Sequence, residues 1–223
     1  MNLKTALILG LVLCLAACRP AEETLRSGDL IFVGLSGNGT LDEDRMGSAI
    51  SASTGDGVLN LIHVAIAEVQ ADSVFVIDAT EELGVARRPL GEFLEDFAAP
   101  AGTMPQLFVK RLRKCPDELI DAALERAKGY CGRPYDMLFQ PGDEAFYCSE
   151  LVRECYLTTG GDYLFEESPM NWKDAQGRIP SYWQQHFESL GAEIPQGVPG
   201  TNPQAMASSP LLIPVNGPAV LAK

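Results

Sequence analysis

YCSELV, the segment at residues 147–152, places a cysteine at the predicted first turn of a helix. Residues 142–146, which precede it, have the composition of a loop. The residues after it carry apolar side chains at helical spacing up to a stop signal at Gly160 and Gly161. A thiol at a helix N-terminus lies at the positive end of the helix dipole, which favours the thiolate. Because the thiolate is the nucleophilic form, Cys148 is a candidate nucleophile.

Histidine is the residue that most often pairs with such a cysteine, and the chain has two. His63 lies in the apolar, β-branched segment Leu61–Val69, which predicts a strand. Either a hydrogen-bonded core histidine or a catalytic base fits this position, and both interpretations stay open here. His186 lies in a polar and aromatic segment, which predicts the exposed surface of a helix. His63 is therefore the candidate partner of Cys148.

A carboxylate near the end of the next predicted strand, Val74–Ala79, is the third candidate residue. If this strand pairs with the one that carries His63, Asp78 and His63 lie side by side on one face of a meander. A carboxylate placed there accepts a hydrogen bond from the imidazole and fixes its tautomer. The alternative for Asp78 is a turn-forming residue at the strand end.

The N-terminus has the pattern of an export signal. A short basic start is followed by an apolar run that is too short to span a bilayer, and the run ends in Leu15-Ala16-Ala17-Cys18. Small residues before a cysteine resemble the lipobox of a bacterial lipoprotein, which implies cleavage after Ala17 and a diacylglycerol on Cys18. An ordinary secretory signal is the alternative. The predicted organisation is a signal peptide, a lipidated tether and one domain, at residues 1–17, 18–26 and 27–223.

The same pattern predicts a location in the bacterial cell envelope. The residue after Cys18 is Arg19 and not aspartate, which favours the periplasmic face of the outer membrane in a Gram-negative host. A formal net charge of -13 argues against nucleic-acid binding and against attraction to anionic lipid. We therefore expect the protein to reach the membrane through the lipid on Cys18.

The remaining cysteines indicate no metal site, because none forms a paired Cys-x-x-Cys motif. An oxidising compartment permits a disulfide between Cys115 and Cys131. Cys155 lies two helical turns after Cys148, and we expect it to be a small buried apolar residue.

The hydrophobic pattern predicts an α+β fold, an antiparallel β-meander flanked by helices. A long loop, residues 35–60, with a helical patch at Met46–Ala52, interrupts the pattern, and little regular structure is predicted from Gly191 onward. The predicted strands are Ser27–Gly34, Ile62–Val69, Val74–Ala79, Val85–Leu90 and Gln106–Leu112, and further helices are predicted at Leu90–Phe97 and from Pro116.

The order of these motifs resembles the YiiX/YebB-like hydrolases, which are permuted papain-like relatives of the NlpC-type cysteine peptidases. The resemblance covers nearly all of the mature chain and implies the permuted papain-like fold. It rests on Gly28-Asp29-Leu30-Ile31-Phe32, His63 in its strand, Asp78 before Ala79, Gly132-Arg133-Pro134-Tyr135-Asp136, Tyr147-Cys148-Ser149-Glu150, Asn202-Pro203-Gln204-Ala205 and Ser209-Pro210-Leu211.

The resemblance also implies roles for individual residues. It places the family's nucleophile on Cys148, its base on His63 and its third polar residue on Asp78, where the family typically has a glutamate that is one methylene longer. Tyr147 and Tyr135 are candidates for the pocket or the oxyanion hole, with ring packing as the alternative. No metal or organic cofactor is implied.

The implied function is an exported cysteine hydrolase that cleaves an amide or ester through an acyl-enzyme on Cys148. A small peptide derived from the cell wall and an acyl amide or lipid are the two expected substrate classes. A transacylase that uses the same residues and a non-catalytic binding lipoprotein are the alternatives. The sequence predicts no oligomeric state.

Overall fold

The structure is a computed structural model that describes residues 24–35, 45–54, 60–97 and 106–215. The predicted signal peptide, the lipidation site Cys18 and most of the tether lie outside the described residues, and so do both flanks of the helical patch in the long loop. In the described ranges, no helix is long and apolar enough to cross a bilayer.

The centre of the fold is a six-stranded antiparallel sheet with strand order β4-β3-β2-β1-β5-β8. The strands β2, β3 and β4 form the predicted meander, and two short strands, β6 and β7, pair separately. The strands are β1 (Leu30–Leu35), β2 (Asn60–Gln70), β3 (Ser73–Thr80), β4 (Gly84–Pro89), β5 (Gln106–Leu112), β6 (Ser168–Pro169), β7 (Pro199–Gly200) and β8 (Leu212–Pro214).

Six helices accompany this sheet in the described part of the chain, and they confirm the predicted α+β class. The helices are α1 (Met46–Thr54), α2 (Leu90–Asp96), α3 (Asp117–Tyr130), α4 (Cys148–Cys155), α5 (Ser181–Ser189) and α6 (Pro203–Ala207). Side chains along the central strands extend alternately to the two faces of the sheet. On one face, α3 and α4 pack with Phe32, Val64 and Ile77. On the other face, α2 packs with Ile31 and Val76.

The region after Gly191 is more regular than the sequence predicts. It contains β7, α6 and β8, and β8 completes the sheet by pairing with β5. The prediction was wrong because short elements rich in proline and glycine are held by partners that are distant in the sequence. α4 also ends at Cys155, before Gly160, because Tyr156 leaves the helical conformation and donates a hydrogen bond from its hydroxyl to the Gly28 carbonyl at 2.9 Å.

His186 is buried, which corrects the prediction of an exposed helix surface. Its Nε2 lies 2.7 Å from the carbonyl oxygen of Met137. The helix that carries it packs its aromatic side chains against Phe139 and Trp172, so His186 is a hydrogen-bonded core residue.

The cysteines divide into two groups. Cys155 is fully buried, as predicted. Cys115 and Cys131 are free thiols in this structure.

Candidate active site

Cys148 is the first residue of α4, and its side chain is nearly buried. The residue before it, Tyr147, is extended, and its backbone N–H donates to the Glu150 carboxylate at 3.4 Å. A bond from a first-turn carboxylate back to the preceding N–H is one half of a capping box, and it helps to fix where a helix begins. The thiol is therefore held at the positive end of the helix dipole.

His63 lies on β2 at an irregularity in the pairing with β1. Val33 pairs with His63 and Gly34 pairs with Leu61, which leaves Ile62 as an extra residue. Such a bulge redirects the neighbouring side chains and interrupts regular alternation. The imidazole is nearly buried and contacts the rings of Phe93 and Phe97.

Asp78 lies beside His63, as the meander predicts. Its Oδ2 is 2.8 Å from Nε2 of His63, and only 1% of Asp78 is exposed. The last regular pair between the two strands joins Ile66 to Ile77, so Asp78 and His63 extend to the same face of the sheet. Because Nε2 is occupied by Asp78, Nδ1 is the nitrogen left to face Cys148.

Cys148 lies next to His63, and the electrostatics of the pair favour a charged imidazole. Burial alone would lower the pKa of His63. The negative charge of the Cys148 thiolate, together with hydrogen bonds to Asp78 and Cys148, outweighs burial and raises this pKa to about 9. His63 opposite a Cys148 thiolate is therefore an imidazolium at neutral pH.

Asp78 remains ionised despite its burial. Burial would raise its pKa, but the hydrogen bond and charge of His63 and those of Arg88 lower it below the usual range. The carboxylate is therefore able to accept hydrogen bonds throughout the physiological pH range.

Tyr147 and Tyr135 both line the pocket beside Cys148, but their hydroxyls differ in their partners. The Tyr147 hydroxyl accepts the backbone N–H of Thr201 at 3.0 Å. Within the described ranges, the Tyr135 hydroxyl has only the weak contact of 3.6 Å to the sulfur of Met46. Burial, and secondly the charge of Cys148, raise the pKa of Tyr135 well above its usual range, which keeps this hydroxyl a donor.

Cys148 forms part of the wall of a pocket that opens to solvent and has a cavity volume of about 40 Å³. The pocket is mainly apolar, and none of the described residues that line it is charged. The wall comprises Ile50, Ser53, Thr54, Tyr135, Phe139, Tyr147, Cys148, Ser149, Met170, Asn171, Trp172, Trp183, Thr201, Asn202 and Pro203.

Two polar residues around this site did not emerge from the sequence: Arg88 contacts Asp78, and Thr201 contacts Tyr147. Gln204, known from the sequence only as part of the closing motif, accepts the Leu61 N–H through its side-chain oxygen at 3.1 Å, next to the bulge. Arg88 alone carries a local signal, because a charged residue within a strand needs a partner.

The family model described as "Permuted papain-like amidase enzyme, YaeF/YiiX, C92 family" matches residues 24–215. This chain belongs to that family. Members of the YaeF/YiiX family are cysteine hydrolases of the amidase type with a permuted papain-like fold, and both statements hold for this chain. The resemblance inferred from the order of the motifs is thereby confirmed.

Two YaeF/YiiX-type proteins of Escherichia coli are similar to this chain. The uncharacterized protein YiiX of strain K12 is 32% identical over 91 residues, which span 41% of this chain and 44% of that protein. The aligned part is thus less than half of the relative. The crystal structure of metalloprotein yiiX from strain O157:H7 shares the fold, with a TM-score of 0.65 and 23% identity over 86% of this chain and 96% of that one.

The word metalloprotein in that title concerns the E. coli protein. In the ranges that the structure of this chain describes, no three His, Cys, Asp or Glu side chains are grouped so that they could hold a metal ion.

Proposed function

We propose that this protein is a cysteine amidase in which Cys148 is the nucleophile, His63 the general base and acid, and Asp78 the orienting carboxylate. The observation that supports this proposal is the placement of His63, whose Nε2 binds Asp78 while its charge is paired with Cys148. Acyl transfer by a thiol requires this order of contacts, in which the nucleophile contacts the base and the base contacts an orienting group.

The reaction begins with the Cys148 thiolate attacking the carbonyl carbon of an amide. The backbone N–H of Cys148, at the start of α4, stabilises the oxyanion, and the Tyr135 hydroxyl is the second donor. The His63 imidazolium gives its proton to the leaving amine, which departs and leaves a thioester on Cys148. Neutral His63 then takes a proton from water, whose oxygen attacks the thioester and releases the acid and the thiolate.

The pocket supports a substrate with an apolar acyl part. A cell-wall peptide carries carboxylates and an amine, and burying them requires charged partners. The described residues that line the pocket are aromatic, aliphatic or uncharged polar. Of the two substrate classes that the sequence indicates, acyl amides therefore fit this wall better than charged peptides.

Alkylation of Cys148 tests the proposed chemistry without a known substrate. The full-length protein is treated with iodoacetamide between pH 4 and pH 9, and the labelled peptides are followed by mass spectrometry. We expect rapid labelling of Cys148 at about pH 6, and its loss in His63→Ala, because an imidazolium stabilises the thiolate. The exposed thiol of Cys131 is an internal reference. If Cys148 reacts no faster than Cys131 at this pH, the proposal is wrong.

A substrate panel then separates the candidate reactions. N-acyl amides of increasing chain length are compared with muropeptides, and Cys148→Ala is the control. We expect release of amine from the acyl amides and a rate that rises with chain length. Cleavage of muropeptides alone would contradict the proposed substrate class, and transfer of the acyl group to an added amine in place of water would indicate a transacylase.

A further inference from the structure

A buried arginine extends the row of side chains behind His63. Arg88 lies on β4, and 5% of it is exposed. Its Nε donates to Oδ1 of Asp78 at 3.3 Å, and its Nη2 donates to Oδ2 at 3.0 Å. Oδ2 is also the atom that contacts Nε2 of His63. The guanidinium therefore holds both oxygens of the carboxylate that orients the proposed base.

The sheet register makes this arrangement a property of the fold. Asp78 pairs with Ala86 across β3 and β4, and Arg88 is two residues further along the same strand. Side chains two residues apart extend to the same face, so Arg88 must share the face of Asp78. The neighbouring Arg87 extends to the opposite face, where it binds Glu68 at 2.5 Å.

The second end of the guanidinium is tied to α2. Nη1 of Arg88 donates to Asp96, whose side chain is 47% exposed. Asp96 ends the helix that contributes Phe93 to the contacts of His63, and the guanidinium also lies 5.3 Å from the Phe93 ring. Arg88 therefore joins the carboxylate and the helix that encloses the imidazole.

We propose that Arg88 is a positioning residue of the active site, which keeps Asp78 an ionised acceptor in the one orientation that turns Nδ1 of His63 toward Cys148. This inference rests on the proposed function, because Arg88 can act as a positioning residue only if His63 and Cys148 form a catalytic pair. Without the guanidinium, Asp78 would be a buried carboxylate with a single partner, which favours its protonated form. A protonated Asp78 stabilises the imidazolium less, and the thiolate then forms only at higher pH.

The positive charge of Arg88 also has a second effect, which would shift the pH profile of Cys148 alkylation in the opposite direction. A cation close to His63 also repels the imidazolium directly, and removal of that repulsion would stabilise the thiolate at lower pH. The charged groups that face His63 are Asp78 from β3 and Cys148 from α4. Arg88 from β4 faces Asp78, Asp96 from α2 reaches Arg88, and Tyr135 faces Cys148. The direction of the shift therefore decides which effect of Arg88 dominates.

The experiment is the pH profile of Cys148 alkylation in the full-length protein, with iodoacetamide as the probe. In Arg88→Met we expect the acidic limb of the profile to move up by about one pH unit. The labelling rate at pH 6 should fall roughly 10-fold. Arg88→Lys keeps the charge and should restore most of the profile. Asp96→Asn removes only the outer partner and should give a smaller shift of the same sign.

Arg87→Met is the matched control, because it removes an equal charge and a salt bridge from the other face of the same strand. An unchanged profile in Arg88→Met, or a shift to lower pH, would overturn the positioning role. If Arg88→Met does not fold, the profile of Asp96→Asn decides, and a profile that matches the wild type would overturn the positioning role. A wild type without a reactive thiolate would instead contradict the proposed function itself.

Discussion

At the scale of single residues, the two tyrosines beside Cys148 have different hydrogen-bond partners and therefore different expected roles. Tyr147 precedes the nucleophile in the sequence, but its hydroxyl is occupied by the Thr201 backbone. Tyr135 is more distant in the sequence. It lines the pocket, and among the described residues its hydroxyl has only the weak contact to the Met46 sulfur. Tyr147, the neighbour of Cys148 in the sequence, therefore supports the structure. The Tyr135 hydroxyl is a donor without a strong partner, which makes it the better candidate to contact a substrate.

We expect Tyr135→Phe to lower kcat on an acyl-amide substrate by about 10²-fold, because it removes one donor to the oxyanion. The alkylation rate of Cys148 should change little, because the thiolate depends on His63. Steady-state kinetics and alkylation on the same preparation measure both quantities. Equal losses in both would contradict an oxyanion role.

Tyr147→Phe is the matched comparison for this prediction. It leaves the Thr201 N–H without its buried partner, which costs about 1–3 kcal/mol of unfolding free energy. Thermal unfolding should show this loss of stability.

At the scale of elements, the start of α4 combines the proposed nucleophile with a buried carboxylate. Glu150 receives the Tyr147 N–H, and burial, with a contribution from the charge of Asp136, raises its pKa to about 8. The folded protein thus holds a proton on Glu150 over a pH range in which the unfolded chain has lost it. The burial of Glu150 at the start of α4 therefore lowers the unfolding free energy in mildly alkaline solution.

We expect the unfolding free energy to fall as the pH rises from about 4.5 to 8, because the folded pKa of Glu150 is higher than the unfolded one. Glu150→Gln keeps the capping contact without the charge, and should add about 2–4 kcal/mol at pH 8 while changing little at pH 4.5. Urea denaturation at several pH values measures this difference. Glu144→Gln is the control, because the Glu144 side chain is 86% exposed. Parallel pH profiles for wild type and Glu150→Gln would contradict the prediction.

At the scale of the whole molecule, we propose that the described domain carries the chemistry and that the first residues determine its location. The lipobox-like Leu15-Ala16-Ala17-Cys18 predicts an anchor in the bacterial envelope, facing the periplasm from the outer membrane in a Gram-negative host. An apolar substrate pocket on a membrane-anchored protein would draw acyl amides from the adjacent lipid phase.

Cys18→Ala tests the anchor. We expect the variant to move from the membrane fraction to the soluble exported fraction, because the lipid is the predicted attachment. Cys14→Ala should remain in the membrane, since Cys14 lies within the predicted signal peptide. Immunoblots of the fractions and the mass of the N-terminal peptide provide the measurement, and membrane retention of Cys18→Ala would refute the anchor.

Much of the fold could be predicted because its signals are local. Alternating apolar residues predict β2, β3 and β4, and the meander alone brings Asp78 to His63. The tie from Thr201 to Tyr147 could not be predicted, because it joins residues 54 positions apart that carry no pattern of their own. The burial of His186 was missed for the same reason, since its partners Met137 and Phe139 lie on a distant segment.

The contacts of the C-terminal segment have a consequence for biosynthesis. Thr201, Asn202 and Pro203 complete the pocket wall, and Gly200 lies so close to the Tyr147 hydroxyl that a Cβ there would approach it to 2.9 Å. These residues follow Cys148 in the chain and are synthesised after it. The nascent chain therefore carries the Cys148 thiol before the wall of its pocket is complete.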